Sequence, residues 1–401
     1  MTKHVVNLSG GACSTFASLF SGGDLAGEGA RMAGFTPIWG VEYDPDIAAV
    51  AELDGTKIVV SKVEDVDFST LATPDWLHMS PPCINASVAK AGAGEAPEDI
   101  EMAQGCIRAI RHFKPPYVSL ENVWQYRNFE SFQLIYAALM ELGYQIRFWH
   151  LCAADYGVAQ TRKRLIMVAS LKGTPKRPEQ THSKDGHVGM FETIPKWIGW
   201  YEAIEDLIPT LPESQFAEWQ LSRLQGSVVI GGELDGGFLM PGGNSSSAEP
   251  REPREPREPS MTIGDTERVG NIPRAFIVNE TRDLSLRTET EPAAGIVSER
   301  GGRERAFIID GKPANYEGDL RIVDAEDPSP TATATATANQ HPMRAWLSQG
   351  KVVALTVRAL ARLQSIPDSY QLPEKNSLGC RIVGNAVPPL LMQRIIEAQM
   401  K

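Results

Sequence analysis

The fold is decided close to the start of the chain, where residues 16–24 read FASLFSGGD. This short run of apolar and small residues ends in a Ser-Gly-Gly turn, which is typical of a β-strand that leads into a tight turn. Similar runs alternate with helix-like stretches up to residue 170. The alternation predicts an α/β fold, in which a parallel sheet carries helices on both faces.

The first part of the chain contains six predicted strands: Phe16–Phe20, Ile38–Glu42, Ile58–Val60, Trp76–Met79, Tyr117–Leu120 and Leu165–Ser170. Apolar residues recur at helical spacing in Glu101–Phe113 and Glu130–Leu142. Helices are predicted again near the end of the chain, at Thr356–Gln364 and Leu390–Met400. The end of the chain therefore resumes the pattern of its start.

The middle of the chain differs from both ends. Residues 249–259 contain Glu-Pro-Arg three times and then Glu-Pro, which predicts an extended or disordered surface segment. Short β-rich phrases after Arg274, Arg305 and Arg344 indicate either a repeated two-strand unit or independent strands of a loop-rich domain. We therefore expect one domain from residues 1–204 and 341–401, and a smaller, mostly β domain from residues 205–340.

Composition limits the class of protein. The 401 residues are 42% hydrophobic and 22% charged, which is ordinary for a globular chain. No run approaches the roughly 18 apolar residues of a membrane span, and the N-terminus lacks the apolar stretch of a signal peptide. Five cysteines without a Cys-x-x-Cys pair argue against a disulfide framework and a zinc site. The sequence predicts a cytoplasmic protein without a membrane partner.

The net charge of −11 taken alone argues against nucleic-acid binding, because DNA affinity rests on Lys and Arg. The charge is unevenly distributed, however. Residues 1–100 and 171–350 each carry −9, whereas residues 101–170 carry +3 and residues 351–401 carry +4. The two basic stretches predict a basic cleft within an acidic molecule.

Three features at the ends of the first strands indicate a cofactor site. The glycines of Ser18–Asp24 let the backbone approach a ligand at the carboxyl edge of a parallel sheet. Glu42 lies 20 residues beyond Gly22, where an acid can accept both hydroxyls of a ribose. Asp65 follows a third strand and could accept a hydrogen bond from an adenine amino group. Together they fit an adenosine-containing cofactor, either NAD or S-adenosylmethionine.

Three further motifs carry candidate catalytic groups. Cys83 follows two prolines after the strand Trp76–Met79, and is either a nucleophile or a small buried hydrophobe. Glu121 ends the next strand, where it is either an acid that donates to a ring nitrogen or a solvated strand end. Arg162 and Arg164 alternate before the last strand, and could clamp an anion or a base oxygen or simply face solvent.

In this order the motifs resemble those of the DNA (cytosine-5)-methyltransferase family of bacteria and phages. The resemblance covers residues 16–170 and 340–400, and includes a last motif that reads GNAVPP at residues 384–389. It implies catalytic roles for Cys83, Glu121, Arg162 and Arg164. It implies that the cofactor is S-adenosyl-L-methionine and that it binds at Phe20, Gly22, Gly23, Glu42, Tyr43, Asp65, Val66, Pro81, Asn385 and Val387.

The resemblance implies a Rossmann-like methyltransferase domain with a target-recognition domain in the middle of the chain. The expected reaction moves a methyl group to C5 of a flipped-out cytosine, at a specific sequence of duplex DNA, through a covalent bond between Cys83 and C6. The expected setting is a monomer in a bacterial or phage-infected cell, with or without a restriction partner. Alternatives are a tRNA cytosine-5 methyltransferase of the same superfamily, a catalytically silent DNA-binding protein and a NAD-dependent dehydrogenase.

The chain departs from the family pattern at several positions. The family usually has an acid where Ser18 stands and a glycine where Asp24 stands. Ile84 follows Cys83, where the family often has Gln, and Cys152 replaces a common Asn. These departures leave the candidate nucleophile, acid and arginines in place.

Overall fold

The computed structural model describes residues 14–82, 95–188, 193–213 and 352–401. Six shorter pieces of the middle of the chain are also described: residues 238–240, 275–279, 305–306, 319–324, 328–329 and 344–347. Cys83 and the Pro-rich residues 249–259 lie outside the described residues. No helix of the described residues is long and apolar enough to cross a membrane.

A seven-stranded sheet forms the centre of the larger domain. Its strands are β1 (Thr15–Leu19), β2 (Thr36–Glu42), β3 (Ile58–Val60), β4 (Trp76–Met79), β5 (Tyr117–Asn122), β6 (Gln145–Cys152) and β7 (Lys163–Ser170). Their order is β3-β2-β1-β4-β5-β7-β6. Strands β1 to β5 pair in parallel, and β7 is antiparallel to both of its neighbours.

The strand order reverses between β1 and β4, and ligands bind at such a switch point beyond the carboxyl ends of the strands. Because β7 runs against the other strands, its first residues lie at the same edge as the last residues of β5. Glu121 pairs with Ile166 and Asn122 with Leu165 in this register. The described residues of the predicted site motifs before residue 170 therefore lie at one edge of the sheet.

The described helices are α1 (Leu25–Met32), α2 (Pro45–Leu53), α3 (Pro97–Phe113), α4 (Glu130–Glu141), α5 (Trp200–Ile204), α6 (Val357–Leu363), α7 (Asn376–Asn385) and α8 (Pro389–Met400). Some of them cover the two faces of the sheet, whereas α5, α6 and α7 pack with α1 and α2 in a separate apolar cluster. On one face, apolar residues of α3 and α4 such as Ile110 and Leu139 pack against the sheet. On the other, α1 and α8 pack through residues such as Ala30 and Ile395. This confirms the predicted α/β, Rossmann-like class.

The middle of the chain contributes a second sheet. Its strands are β10 (Phe238–Met240), β11 (Ala275–Asn279), β12 (Arg305–Ala306), β13 (Asp319–Asp324), β14 (Arg344–Leu347) and β15 (Val352–Ala354), in the order β12-β13-β11-β10-β14-β15. A two-stranded ladder of β8 (His187–Val188) and β9 (Thr193–Ile194) precedes it. The three similar sequence phrases each contain one strand of the six-stranded sheet. β14 and β15 belong to that sheet although they follow residue 341, and the domain limits remain a prediction.

Candidate active site

The turn after β1 is built on left-handed backbone conformations. Phe20, Gly22 and Asp24 have φ angles of 56°, 54° and 55°. These left-handed residues, at every second position, fold the chain back at the carboxyl end of β1. Residues 20–23 therefore line the switch point. Gly22 supplies one of these conformations without a steric cost.

Glu42 fastens this turn to the end of β2. Its Oε2 accepts a hydrogen bond from the Gly22 N–H at 2.9 Å, and its Oε1 accepts one from the Asp44 N–H at 2.9 Å. The side chain is buried, and this burial raises its pKa against the two backbone hydrogen bonds. Each carboxylate oxygen has a further lone pair, so the group can still accept the two hydroxyls of a ribose.

Gly23 is required by a close contact with the C-terminal part of the chain. The Tyr370 hydroxyl donates to the Gly23 carbonyl at 2.7 Å. A Cβ at Gly23 would lie 2.5 Å from the Tyr370 Oη and 2.6 Å from Ile382 Cγ2. No larger residue fits there without displacing either the turn or α7.

Replacing Gly23 by alanine is expected to weaken S-adenosylmethionine binding by at least about 10-fold and to destabilise the fold by about 1–3 kcal/mol, as overpacking does. Isothermal titration calorimetry and thermal unfolding measure the two effects. The double variant Gly23→Ala/Tyr370→Phe removes the nearest clashing atom and should recover part of both. Unchanged cofactor affinity in Gly23→Ala would contradict the close contact.

Asp24 places a carboxylate beside Ser18. The Ser18 hydroxyl donates to Asp24 Oδ1 at 3.1 Å, and the Thr56 hydroxyl donates to Oδ2 at 2.6 Å. Arg31 lies 3.7 Å from the same carboxylate. The family usually has an acid at the position of Ser18. In this chain the carboxylate of Asp24, six residues later, lies against the Ser18 hydroxyl.

Burial raises the pKa of Asp24 to about 6 from its usual value of 3.8, against the hydrogen bonds from Thr56 and Ser18 and the charge of Arg31. The protonated carboxyl therefore stabilises the fold below about pH 4, and this stabilisation is lost as the pH rises through 6. Asp24→Asn keeps the shape without the charge. The free energy of unfolding of Asp24→Asn, relative to that of the unaltered protein, should therefore rise by about 2 kcal/mol between pH 4 and 7.5. Urea unfolding of both proteins across this range measures the difference, and a gap that stays constant would refute the shift.

Asp65 and Val66 follow β3 on a turn that α3 holds in place. Arg108 donates from Nη2 to the carbonyls of Glu64 at 2.7 Å and Val63 at 3.2 Å. Asp65 is exposed and Val66 is buried. An open cavity of about 440 Å³ borders both residues and Arg108. The acid is thereby presented at a fixed place beyond the end of β3.

Tyr43 lies beyond the end of β2 with 63% of its surface exposed, which is unusual for a large aromatic side chain. It directly follows the buried Glu42. An exposed ring next to an acid that has lone pairs free for ligand hydroxyls can stack on a flat base.

The start of the segment that contains Cys83 is anchored on two sides. The Asn122 side chain donates from Nδ2 to the Pro81 carbonyl at 3.0 Å. The Ser80 hydroxyl donates to the Phe20 carbonyl at 3.1 Å. Pro81 is therefore held between the end of β5 and the cofactor turn, two residues before Cys83.

Glu121 and Arg164 form an ion pair at the junction of β5 and β7. Arg164 Nε lies 3.0 Å from Glu121 Oε1, and Glu121 is buried. Oε1 is buried and has no hydrogen-bond partner among the described residues, although it lies within ion-pair distance of Arg164. The carboxyl group is thus oriented by a cation, and its Oε1 keeps an unused capacity to accept a hydrogen bond.

Arg162 connects this pair to the last motif. It is buried, and its Nη1 donates to the Gly384 carbonyl at 3.0 Å. Burial and the charge of Arg164 lower its pKa to about 9, against the attraction of Glu121. Its Nε is buried without a partner in the described part of the chain. Asn385 follows at the end of α7 with an exposed side chain, whereas Val387 is buried against α1 and α8.

The structure thus brings together most of the residues predicted from the sequence. Direct contacts join Gly22 to Glu42 and Glu121 to Arg164, and Asp65 lies at the same edge of the sheet without a bond to them. Two positioning groups gave no sequence signal: Tyr370 and Arg108. Their partners are backbone carbonyls distant in sequence, and no residue pattern marks such a contact.

The fold and the edge of acids and arginines define a Rossmann-like methyltransferase. The sequence pattern of C-5 cytosine-specific DNA methylases matches residues 14–223 and 250–401. The chain belongs to this family, whose methyl donor is S-adenosyl-L-methionine. The resemblance stated from the motifs is confirmed.

Two individual proteins are similar in sequence to this chain. DNA (cytosine-5)-methyltransferase 4 of Arabidopsis thaliana is 27% identical over 362 residues, 83% of this chain and 22% of that protein. The Type II methyltransferase M.AquIA of a Picosynechococcus species is 28% identical over 217 residues, 49% of this chain and 88% of that protein. The chain spans less than a quarter of the length of the Arabidopsis relative.

A solved structure shows the same fold. The Entamoeba histolytica methyltransferase EhMeth superposes with a TM-score of 0.54 at 12% identity, over 98% of this chain and 100% of that one.

The groups at this edge fit S-adenosylmethionine. Glu42 is a buried acid with spare lone pairs, which suits the hydroxyls of a ribose. Asp65 is an exposed acid, which suits an adenine amino group, and Tyr43 has an exposed ring, which suits the face of the base. The cofactor supplies an electrophilic methyl group when it is bound.

Proposed function

We propose that the chain methylates C5 of a flipped-out cytosine at a specific sequence of duplex DNA. The observation that carries this proposal is the ion pair of the buried Glu121 with Arg164, at the sheet edge where Asn122 holds Pro81, two residues before Cys83 in the sequence. An acid oriented at the end of the strand next to the one that precedes the candidate nucleophile supports this reaction.

The chemistry requires a nucleophile because C5 of cytosine is a weak one. The Cys83 thiolate adds to C6 and gives the ring enamine character, which makes C5 nucleophilic. The bound cofactor would supply the methyl group that C5 takes up, and would leave as its uncharged thioether. The proton then leaves C5, to a base that we do not assign or to water, and the bond between Cys83 and C6 breaks to release the product. The thiol bond thus forms and breaks once in each turnover.

Glu121 acts on the ring in this scheme. It holds N3 of the cytosine protonated while electron density enters from Cys83. Arg164 orients the Glu121 carboxyl, and Arg164 or Arg162 donates to the O2 of the base. Arg162 also ties this strand to the Gly384 carbonyl, and so to α7.

Cofactor binding is assigned to the remaining residues of the edge. Phe20, Gly22 and Gly23 line the turn, Glu42 and Tyr43 bind the ribose and base, and Asp65 with Val66 binds the adenine. Pro81, Asn385 and Val387 complete the pocket. The support for the residues that follow β1 to β4 is their shared edge position, whereas Asn385 and Val387 are assigned from the resemblance of their motif to that of the family.

The substrate is assigned by the same reasoning. Stacking covers both faces of the ring with neighbouring bases, and a thiolate must approach C6 from one of these faces. The cytosine therefore has to leave the helix, at a cost of a few kcal/mol. The mostly β middle region, which includes the six-stranded sheet, would read the sequence around the target through groove contacts.

The test is methyl transfer from radiolabelled S-adenosylmethionine to duplex DNA and to tRNA in parallel, followed by bisulfite sequencing of the DNA. We expect label in duplex DNA at one recurring sequence. Label in tRNA alone would favour the tRNA alternative. No label in either, with DNA binding intact, would favour the silent DNA-binding alternative.

A further inference from the structure

A stack of charged and aromatic groups lies next to the Glu121–Arg164 pair. The guanidinium carbon of Arg127 is 4.1 Å from the centroid of the Trp124 ring. The His150 ring stacks on Trp124 with centroids 4.7 Å apart and an angle of 16° between the planes. Trp124 directly follows the Glu121-Asn122-Val123 motif, so the stack begins three residues after the candidate acid.

The surroundings of this stack are cationic. His150 lies on β6 opposite Leu165 of β7, which places it beside the Lys163–Arg164 start of that strand. Burial lowers the pKa of His150, and the positive charges of Lys163, Arg127 and Arg164 lower it further. We call the group Trp124, Arg127, His150 and Lys163 the basic aromatic surface.

Arg127 is held in place rather than free to rotate. Its Nη1 donates to the Trp124 carbonyl at 2.7 Å, while the ring supports the plane of the guanidinium. Guanidinium groups have five N–H donors, so most of them remain for another acceptor. A cation fixed in this way loses little side-chain entropy when it binds a phosphate.

We propose that the basic aromatic surface binds the phosphates of the DNA strand that carries the target cytosine. This inference rests on the proposed function. The surface lies at the sheet edge that holds Glu121, and a base that reaches Glu121 brings its neighbouring phosphates across the same edge. Phosphate contacts of this kind set the register of the strand without reading its sequence.

The surface also accounts for binding by a chain with a net charge of −11. A few cations held at the cleft release counterions from DNA, whatever the charge of distant parts of the protein. The acidic residues 1–100 and 171–350 lie in other stretches of the sequence.

The test compares Arg127→Gln with Arg111→Gln by fluorescence anisotropy on a labelled duplex at a series of salt concentrations. Arg111 is a matched control because it lies near the end of α3, by the opposite edge of the sheet, and pairs with Glu141. We expect Arg127→Gln to weaken binding about 5- to 10-fold on any duplex sequence, and to lower the slope of log Kd against log salt by about 1. Lys163→Gln should behave in the same way.

The proposed role of the basic aromatic surface would be overturned if Arg127→Gln and Lys163→Gln had the same affinities and salt slopes as Arg111→Gln. The proposed function would still stand if the unaltered protein methylated DNA. Failure of the unaltered protein to bind and methylate duplex DNA would remove both. Thermal unfolding of each variant identifies a loss of binding that comes from misfolding. In that case the other of the two variants, Arg127→Gln or Lys163→Gln, carries the test.

Discussion

Replacing Cys83 by alanine is expected to reduce methyl transfer by about 10⁴- to 10⁶-fold, on the scale of enzymes that lose a covalent nucleophile. The same variant should form no covalent adduct with DNA that contains 5-fluorocytosine, because fluorine at C5 blocks the proton loss that releases the thiol. Denaturing electrophoresis of protein, cofactor and modified DNA shows the adduct as a band of lower mobility.

Cys152→Ala is the matched control for this experiment. Cys152 is buried, and burial raises the pKa of its thiol to about 11, so little thiolate is present at neutral pH. The Cys152→Ala protein should therefore still form the adduct. An adduct that persists in Cys83→Ala would show that the nucleophile is another residue.

Glu121→Gln is expected to lower kcat by about 10²- to 10⁴-fold, because glutamine preserves the shape of the side chain but cannot deliver a proton to N3. Affinity for S-adenosylmethionine should stay within about 2-fold, since Glu121 lies on β5 and the proposed ribose and adenine acids follow β2 and β3. Single-turnover methylation and calorimetric titration of the cofactor measure these two effects.

Glu52→Gln provides the comparison for Glu121→Gln. Glu52 is an exposed carboxylate on α2, and its contact with the Ile58 N–H can be kept by glutamine. Its activity should equal that of the unaltered protein. A Glu121→Gln protein with unreduced kcat would remove Glu121 from the mechanism.

The predicted part of the fold rests on short, uninterrupted apolar runs. β3 and β4 have the predicted bounds, and β5 extends two residues further than predicted, to Asn122. Strand β6, which like β3 lies at an edge of the sheet, lacks such a run and was not predicted. Its sequence, QIRFWHLC, mixes exposed and buried positions without regular alternation.

Helix α1 was missed for a different reason. Its sequence, LAGEGARM, contains two glycines, which indicate a turn rather than a helix. Gly29 is present because α8 passes so close that a Cβ would lie 2.4 Å from the Pro389 carbonyl oxygen. A tertiary contact with the far end of the chain outweighs local propensity here, and the local sequence does not record it.

The candidate site divides in the same way. Side chains that present chemistry to a ligand, such as Glu42 and Glu121, follow strands at recognisable positions and could be named in advance. Other groups hold the backbone of the site in place: Tyr370 donates to the Gly23 carbonyl, and Arg108 donates to the Glu64 carbonyl. Any residue can offer a carbonyl, so these contacts emerge only from the folded chain.

The hydrogen bond between Ser18 and Asp24 limits the evolutionary routes by which this sequence can arise from the usual family pattern. A route that gains Asp24 first passes through a chain with two neighbouring buried acids. A route that first loses the acid at position 18 leaves the Thr56 hydroxyl without its acceptor and Arg31 without one of its anionic partners. The contacts of Asp24 therefore couple the residue choices at positions 18 and 24.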